Sequence, residues 1–331
     1  MNYLIRRILG AIPLLIALSL ISFALIQLPP GDYADQLQSQ AMSQGGLSRE
    51  DAQAMADAYR ERYGLDQPMI VQYLNWMKGM LFHGDFGYSF SQNQPIAELV
   101  KERLPITLFI AGLSHVLATL IGAGLGIYAA TRQYKLGDTL SGLISFIGMT
   151  TPRFIMALVL LYWLVFGLGL TNVSSLFSPE FLLEPWSIAK FFDLMTHIWP
   201  VLLIAVFGGM AYNLRVMRSN MLDVLQSQYI ETARAKGLSR RTVVMKHAVP
   251  NASHPLVMYQ GVALPYMIAG ELEVAIVFAL PTVGPLIVSA MNAQDVFVVS
   301  TFMLLLAVTL VIGNIIADAL LVLIDPRLRK Q

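Results

Sequence analysis

Long stretches without a charged side chain constrain this sequence more than any other feature. Ile8–Pro30, Leu104–Thr131, Thr139–Leu170, Ile198–Leu214, Pro255–Leu280 and Val296–Ala317 are apolar runs, the last continuing past Asp318 to Ile324. Only Arg153 interrupts the third, and only Glu271 and Glu273 the fifth. A helix crosses the hydrocarbon of a bilayer with about 20 mostly apolar residues. Lipid offers the backbone no hydrogen bonds, so such runs close into helices. The expected fold class is an all-α integral membrane protein with six transmembrane helices. Composition agrees, with 56% apolar and 13% charged residues, where soluble domains have roughly 45–50% and 25%. That excludes a disordered chain and argues against a soluble enzyme.

The first run follows Arg6-Arg7 and is long for a signal peptide. No small-residue cleavage site follows it, only Leu28-Pro29-Pro30-Gly31-Asp32, so it reads as an uncleaved anchor. An even number of crossings puts both termini on one side. The segments on that side carry 14 Lys and Arg against 7 on the other, which holds 14 of the 21 acids. By the positive-inside rule both termini are expected in the cytoplasm. The domain reading is then residues 1–30 as cytoplasmic N-terminus and anchor, 31–103 as a periplasmic loop domain, and 104–331 as a transmembrane core. A net charge of +1 carries no nucleic-acid signature. The lack of cysteine removes thiolate metal sites and cysteine nucleophiles.

Within 31–103, Ser48–Tyr63 reads as a helix with Ser48 as N-cap, acids in its first turn and Gly64 as its stop. Tyr73–Phe82 is amphipathic and aromatic. It suits the membrane interface or the body of this small domain, with the second preferred.

The basic loop at about 215–254 is the more informative polar segment. Leu222, Leu225, Tyr229 and Ala233 fall on one helical stripe. Glu231 and Arg234 form an i,i+3 pair on another face. Gly237 can end the helix in the left-handed conformation. Ser239 can cap the next helix, and Pro250 is expected to stop it. A short amphipathic helix between two spans must place its stripe against the membrane surface, the body of this protein or a partner. Periodicity leaves all three open.

Glu231-Thr-Ala233, three residues, Gly237 and then Pro250 resembles the EAA loop of permease subunits in bacterial binding-protein-dependent ABC importers. Thr232 stands where that pattern has its first Ala, His247 where it has an apolar residue, and Val249 where it has Leu. Tyr63-Gly-Leu-Asp-Gln-Pro68, Gln72-Tyr-Leu-Asn-Trp76, Gly84-Asp-Phe-Gly-Tyr-Ser89, Asn251-Ala252 and Asp325-Pro-Arg-Leu-Arg329 extend the likeness to the dipeptide, oligopeptide and nickel branch. Within that branch the chain is similar to the first permease of the pair. The resemblance implies an N-terminal anchor helix plus a five-helix type I importer core in the inner membrane. It also implies four partners besides membrane lipid: a second homologous permease, two ABC ATPase subunits and a periplasmic solute-binding protein. GxxxxGK[ST] is absent, so ATP and Mg are expected on the ATPases and no cofactor or metal on this chain.

The resemblance further implies that the EAA helix docks into a cleft on the ATPase. Leu225, Tyr229, Ile230 and Ala233 would supply apolar contact, Glu231 orientation, and Arg234 and Lys236 contacts to an acidic rim. Gly237 would serve its turn. Glu271, Glu273 and Arg153 are candidates for the translocation pathway, because intramembrane charges are costly unless they face water or a partner. Two residues apart on a helix, the two acids point about 200° apart. Proline at 152 is expected to kink or start a helix. Asp318 reads as a structural hydrogen-bonding group. Gly112, Gly122, Gly124 and Gly126 suit close helix packing, and Tyr162, Trp163 and Phe166 read as packing residues.

The run Gly270–Val277 with Leu280-Pro-Thr-Val-Gly-Pro285 looks like members of that family that carry oligosaccharides. The solute is therefore expected to be an oligosaccharide or a short peptide, with nickel third because no His/Cys cluster marks a metal path. A membrane-embedded enzyme would need HExxH, GxSxG or paired aspartates, which are absent. An ion-coupled secondary carrier would show two related halves, and no internal repeat is present.

Overall fold

Where water is excluded the backbone satisfies itself by closing into helices, and nearly every element of this chain is helical. The computed structural model describes residues 2–28, 31–43, 46–170, 173 and 175–324. Side chains are described for these residues except 2–8, 26, 261–262, 264–270, 317–318 and 320–324. The side chain of Asp318 and the segment from Asp325 onward therefore lie outside the described residues.

Two compact units emerge: Met1–Ile106 with Pro285–Val308, and Thr107–Gly284 with Thr309–Gln331. In chain order the first elements are α1 (Asn2–Gln27), α2 (Tyr33–Ser43), α3 (Arg49–Tyr63) and α4 (Met69–His83). A short antiparallel hairpin follows, β1 (Tyr88–Ser89) with β2 (Gln94–Pro95), and then α5 (Ile96–Thr131). Next come α6 (Leu136–Thr150), α7 (Arg153–Tyr162), α8 (Ile188–Leu225) and α9 (Gln228–Ala235). The last elements among the described residues are α10 (Arg240–Thr242), α11 (Val249–Ala252), α12 (His254–Val277), α13 (Val283–Asn292) and α14 (Val296–Ile324).

In the first unit α3 is capped as its sequence demands. The Ser48 hydroxyl accepts from the Asp51 N–H at 3.1 Å, and Gly64 adopts φ +65° at the other end. Arg60 ties α3 to α2 by reaching Asp32 at 2.9 Å and also Asp35, while Asp57 on its own helix holds it at 2.9 Å. On α4, Tyr73 and Trp76 are buried against Phe23 of α1, with ring centroids 5.6 and 5.8 Å away. The Tyr73 and Ser19 hydroxyls meet at 2.8 Å. One face of α4 thus packs on the body of the unit, and Leu81 and Phe82 stand exposed on the other. Asp295, fully buried before α14, accepts from the Ser89 hydroxyl at 2.9 Å and from the Ser91 N–H and hydroxyl at 2.9 and 3.0 Å. Burial pushes its carboxyl above the usual range, and these donors only partly oppose the shift.

Among the described residues, Ile96–Thr131, Ile188–Leu225 and Val296–Ile316 are single helices long and apolar enough to span a bilayer. Leu9–Leu25 is a shorter apolar helix, and the fifth run lies on α12. The third run is not one straight rod. It breaks at Thr151-Pro152, where α6 and α7 meet at a 100° bend, and closes with a π-helical turn at Trp163–Gly167. Proline at 152 restricts Thr151 to extended backbone (φ −86°, ψ 122°), which no α-helix tolerates. The fourth run is extended at both ends. The 38 residues of α8 span about 57 Å, well beyond the thickness of the hydrocarbon, and its last turns carry Arg215 and Arg218. Pro250 does not stop its helix. A widened π turn at Val243–Ala248 precedes it, and Pro250 sits in the first turn of α11, where a missing N–H is harmless.

Helix contacts in the second unit depend on small residues. A Cβ on Gly122 would lie 2.7 Å from the Cβ of Asn213, and one on Gly126 2.8 Å from that of Met217. These two glycines, four residues apart, let α5 touch the backbone of α8. Gly112 and Gly124 face open space, so they do not share that role. Nearby, Thr119 of α5 donates to Gln260 of α12 at 2.7 Å, and Gln260 reaches Asn213 of α8 at 3.4 Å. A polar tie thereby joins three helices. Tyr162, Trp163 and Phe166, at the end of α7 and in the π turn that follows, are exposed on this chain rather than packed within it.

Candidate functional site

The amphipathic stripe is divided between two helices. Leu222 and Leu225 close α8, the chain turns at Gln226-Ser227, and only then does α9 carry Tyr229 and Ala233. The break corrects the single-helix expectation. Ser227 leaves the helical region (φ −76°, ψ 148°) and its hydroxyl donates back to the Val224 carbonyl at 2.6 Å. A serine that satisfies the end of one helix starts the next.

The eight residues of α9 have two distinct faces. Ile230 is 0% exposed and Ala233 6%. They sit in a cluster with Met217 and Met221 of α8, Val243, Ala248 and Leu256, and Leu225 packs at its edge. Both residues were expected on the docking face, and both are buried inside this chain instead. Tyr229 is 45% exposed, and Glu231, Thr232, Arg234 and Lys236 are exposed around it. Glu231 and Arg234 form no ion pair among the described residues, although their spacing permits one. Gly237 holds φ +77°, a conformation that L side chains rarely adopt, and ends the element. Beyond it Ser239 caps α10 through the Thr242 N–H at 3.2 Å, and Arg240 donates to the carbonyl of Thr131 at the end of α5. The segment is therefore fastened to α5, α8 and α12.

The membrane charges separate as their helical spacing requires. Glu271 is 2% exposed, and neither carboxylate oxygen has a hydrogen-bond partner among the described residues. Glu273 is on the exposed face of α12. Arg153 opens α7, lies against Gly208 of α8, and is within electrostatic range of Glu273 and Tyr259. The Tyr259 and Tyr212 rings are tilted against each other with centroids 4.3 Å apart. The structure thus brings Arg153 and Glu273 into one neighbourhood and leaves Glu271 apart from it.

One strong pair was not anticipated. Arg218 of α8 clamps Asp138 of α6 at 2.5 and 2.9 Å, and the Tyr134 N–H adds a third bond at 3.0 Å. The sequence signal was available, since each charge lies just beyond the end of an apolar run. The pair borders an open cavity of about 800 Å³ lined by Ser145, Met149 and Arg215 among others. Among the described residues no group of three or more His, Asp or Glu is placed to hold a metal.

This helix, seated on one face and exposed on the other, lies in the segment between α8 and α12 where the family resemblance places its EAA loop. The model of the binding-protein-dependent transport system inner membrane component matches residues 122–330. The corresponding N-terminal model of these membrane components matches residues 1–111. The chain belongs to this family. It is 35% identical to the oligopeptide transport system permease protein AppB of Bacillus subtilis, over 98% of both chains. It is 32% identical to a putative peptide permease of Brucella ovis over 99% of both, and 30% identical to a probable peptide ABC transporter permease of Sinorhizobium fredii over 99% of both. The protein is therefore an inner-membrane permease component of a binding-protein-dependent ABC importer, and it is not an enzyme.

Proposed function

We propose that this permease forms half of an alternating-access pathway for short peptides, with a second homologous permease as the other half. Both termini lie in the cytoplasm, and the polar domain at 31–103 faces the periplasm, where a solute-binding protein delivers the peptide. Two ATPase subunits bind ATP and Mg, and one of them receives α9. The observation that carries the coupling reading is the two-faced α9. Ile230 and Ala233 seat it on the π turn at Val243–Ala248, in one apolar cluster with Met217 and Met221 of α8 and Leu256 of α12, so a push on Tyr229, Glu231, Arg234 and Lys236 moves the spans rather than bending a loose loop. Leu225 braces the joint, and Gly237 permits the turn that fixes the angle of the helix.

A peptide cargo is supported by the relatives, whose names specify peptides or oligopeptides. The oligosaccharide reading rests on the Gly270–Val277 run alone and is the second choice. On the pathway we assign Arg153 and Glu273 to the lining, as opposite charges suited to the two ends of a zwitterionic peptide.

The chain has no cysteine, so single cysteines report cleanly. A Thr232→Cys variant in the complete transporter is expected to cross-link to a cysteine in the ATPase cleft. Proteoliposomes holding both permeases, the ATPases and the binding protein are expected to take up a tripeptide when ATP is supplied, and neither maltotriose nor nickel. Failure of the cross-link at every cleft position overturns the coupling role. Uptake of maltotriose without the peptide overturns the cargo.

A further inference from the structure

The first unit contains a cavity of about 470 Å³ between the end of α3, α4, the β-hairpin and the first turn of α14. Its wall is aromatic and preformed. Tyr63 stacks on Tyr88 at 5.7 Å and meets Phe90 edge-on at 5.1 Å, and Phe90 meets Phe297 at 5.7 Å. The polar ends of the wall are already occupied. The Trp76 indole N–H donates to the Phe86 carbonyl at 3.1 Å, and the Tyr88 hydroxyl to Asn93 at 2.9 Å. What remains inside is aromatic surface interleaved with the backbone of Gly64 and Gly79 and the side chain of Gln72. Gly87, at φ +91°, turns the backbone beside the Phe297 ring.

The rim has the opposite character. Arg62 and Asn75 are exposed, and neither the guanidinium nor the amide makes a hydrogen bond among the described residues. Arg62 only rests over the Tyr63 ring at 5.5 Å. Asp85 gives one oxygen to the Gly87 N–H at 2.9 Å and leaves the other free. The mouth therefore presents a fixed positive charge, a free carboxamide and a negative charge around an aromatic slot.

We propose that this cavity is a docking subsite for a free short peptide. An apolar side chain enters the slot, the peptide carboxylate and carbonyls meet Arg62 and Asn75, and its ammonium meets Asp85. The proposal rests on the peptide cargo proposed above and adds a place outside the spans where the permease itself touches it. The volume falls in the ~300–1,000 Å³ range of small-ligand sites. A rim with both signs of charge complements a molecule that carries both termini. An internal loop of a delivery protein has neither terminus, and an oligosaccharide has no charge to match.

The test uses the assembled transporter in lipid nanodiscs without its binding protein, with labelled Ala-Phe-Ala in equilibrium dialysis. Saturable binding is expected. Asn75→Ala weakens it by about tenfold or less, as the loss of one neutral hydrogen bond requires, and Arg62→Gln by about tenfold or more, as the loss of a hydrogen bond between charged groups requires. Ala-Gly-Ala and the N-acetylated, C-amidated peptide are also expected to bind more weakly. Both substituted side chains are exposed, so an unchanged melting temperature separates lost binding from lost folding. Absence of saturable binding, or equal affinity in the variants, overturns the subsite. So does weakened association of the binding protein with free-peptide affinity unchanged, which reassigns the cavity to a protein contact. Peptide uptake by the complete unmodified transporter keeps these failures separate from failure of the cargo reading.

Discussion

Replacing Ile230 and Tyr229 one at a time separates the two faces of α9. Ile230→Ala deletes three carbons from a side chain with no exposed surface. At about 0.8 kcal/mol per buried methylene the transfer loss is about 2.4 kcal/mol. The cavity left among Met221, Val243 and Leu256 raises the total to about 3–4 kcal/mol, within the range for such deletions. Tyr229→Ala removes a ring that is nearly half exposed, and its stability cost is below about 1 kcal/mol. The assay pairs the melting temperature of the purified complex with ATP hydrolysis stimulated by the loaded binding protein. Ile230→Ala is expected to lower the melting temperature and weaken stimulation together. Tyr229→Ala is expected to hold the melting temperature and lose stimulation. If Tyr229→Ala melts early and Ile230→Ala does not, the seat and the docking face have been assigned the wrong way round.

Three further outcomes follow from packing and charge. Gly126→Leu is expected to force α5 off α8 at an overpacking cost of about 1–3 kcal/mol, whereas Gly124→Ala, facing open space, is expected to leave assembly unchanged; yield of the intact complex on size exclusion reads the difference. Arg60→Ala leaves Asp32, Asp35 and Asp57 without their shared cation, and loss of such charged hydrogen bonds is expected to cost about 1.5–3 kcal/mol, read as faster proteolysis between α2 and α3. Burial raises the native Asp295 carboxyl above its unfolded value, so the native state holds the extra proton. The contribution of Asp295 to stability is then expected to fall as pH rises from about 4 through the raised native value, and a smaller loss of melting temperature across that rise for Asp295→Asn than for the unmodified protein checks the sign.

The sequence disclosed those elements whose cause is local. Ser48 and Gly64 bound α3 because a cap and a left-handed stop are decided within four residues, and the apolar runs announce helices because lipid permits nothing else. Where two causes compete over distance, the sequence underdetermined the result. Tyr73–Phe82 is amphipathic under either the interface or the packing reading, and only Phe23, some fifty residues earlier, decides which face is buried. Gly122 and Gly124 are indistinguishable in a string of small residues, yet one opposes Asn213 and the other opposes nothing. The Asp138–Arg218 clamp joins residues eighty positions apart, and no periodicity encodes such a partner.

The α9 segment shows why spacing misleads most where coupling is at issue. Its apolar positions fit one continuous helix, so the stripe reads as a single surface with a single destination. Ser227 divides it, and the division creates the mechanical property. An unbroken extension of α8 would project into solvent as a lever with no seat of its own. The turn at Gln226-Ser227 redirects α9 so that Ile230 enters the apolar cluster of Met217, Met221, Val243 and Leu256, while the same eight residues keep Tyr229 outward. Apolar character alone could not distinguish the residue that anchors from the residue that is offered, because both roles need a large apolar side chain. The distinction lies in the backbone break, which a serine in an otherwise helical run marks only weakly.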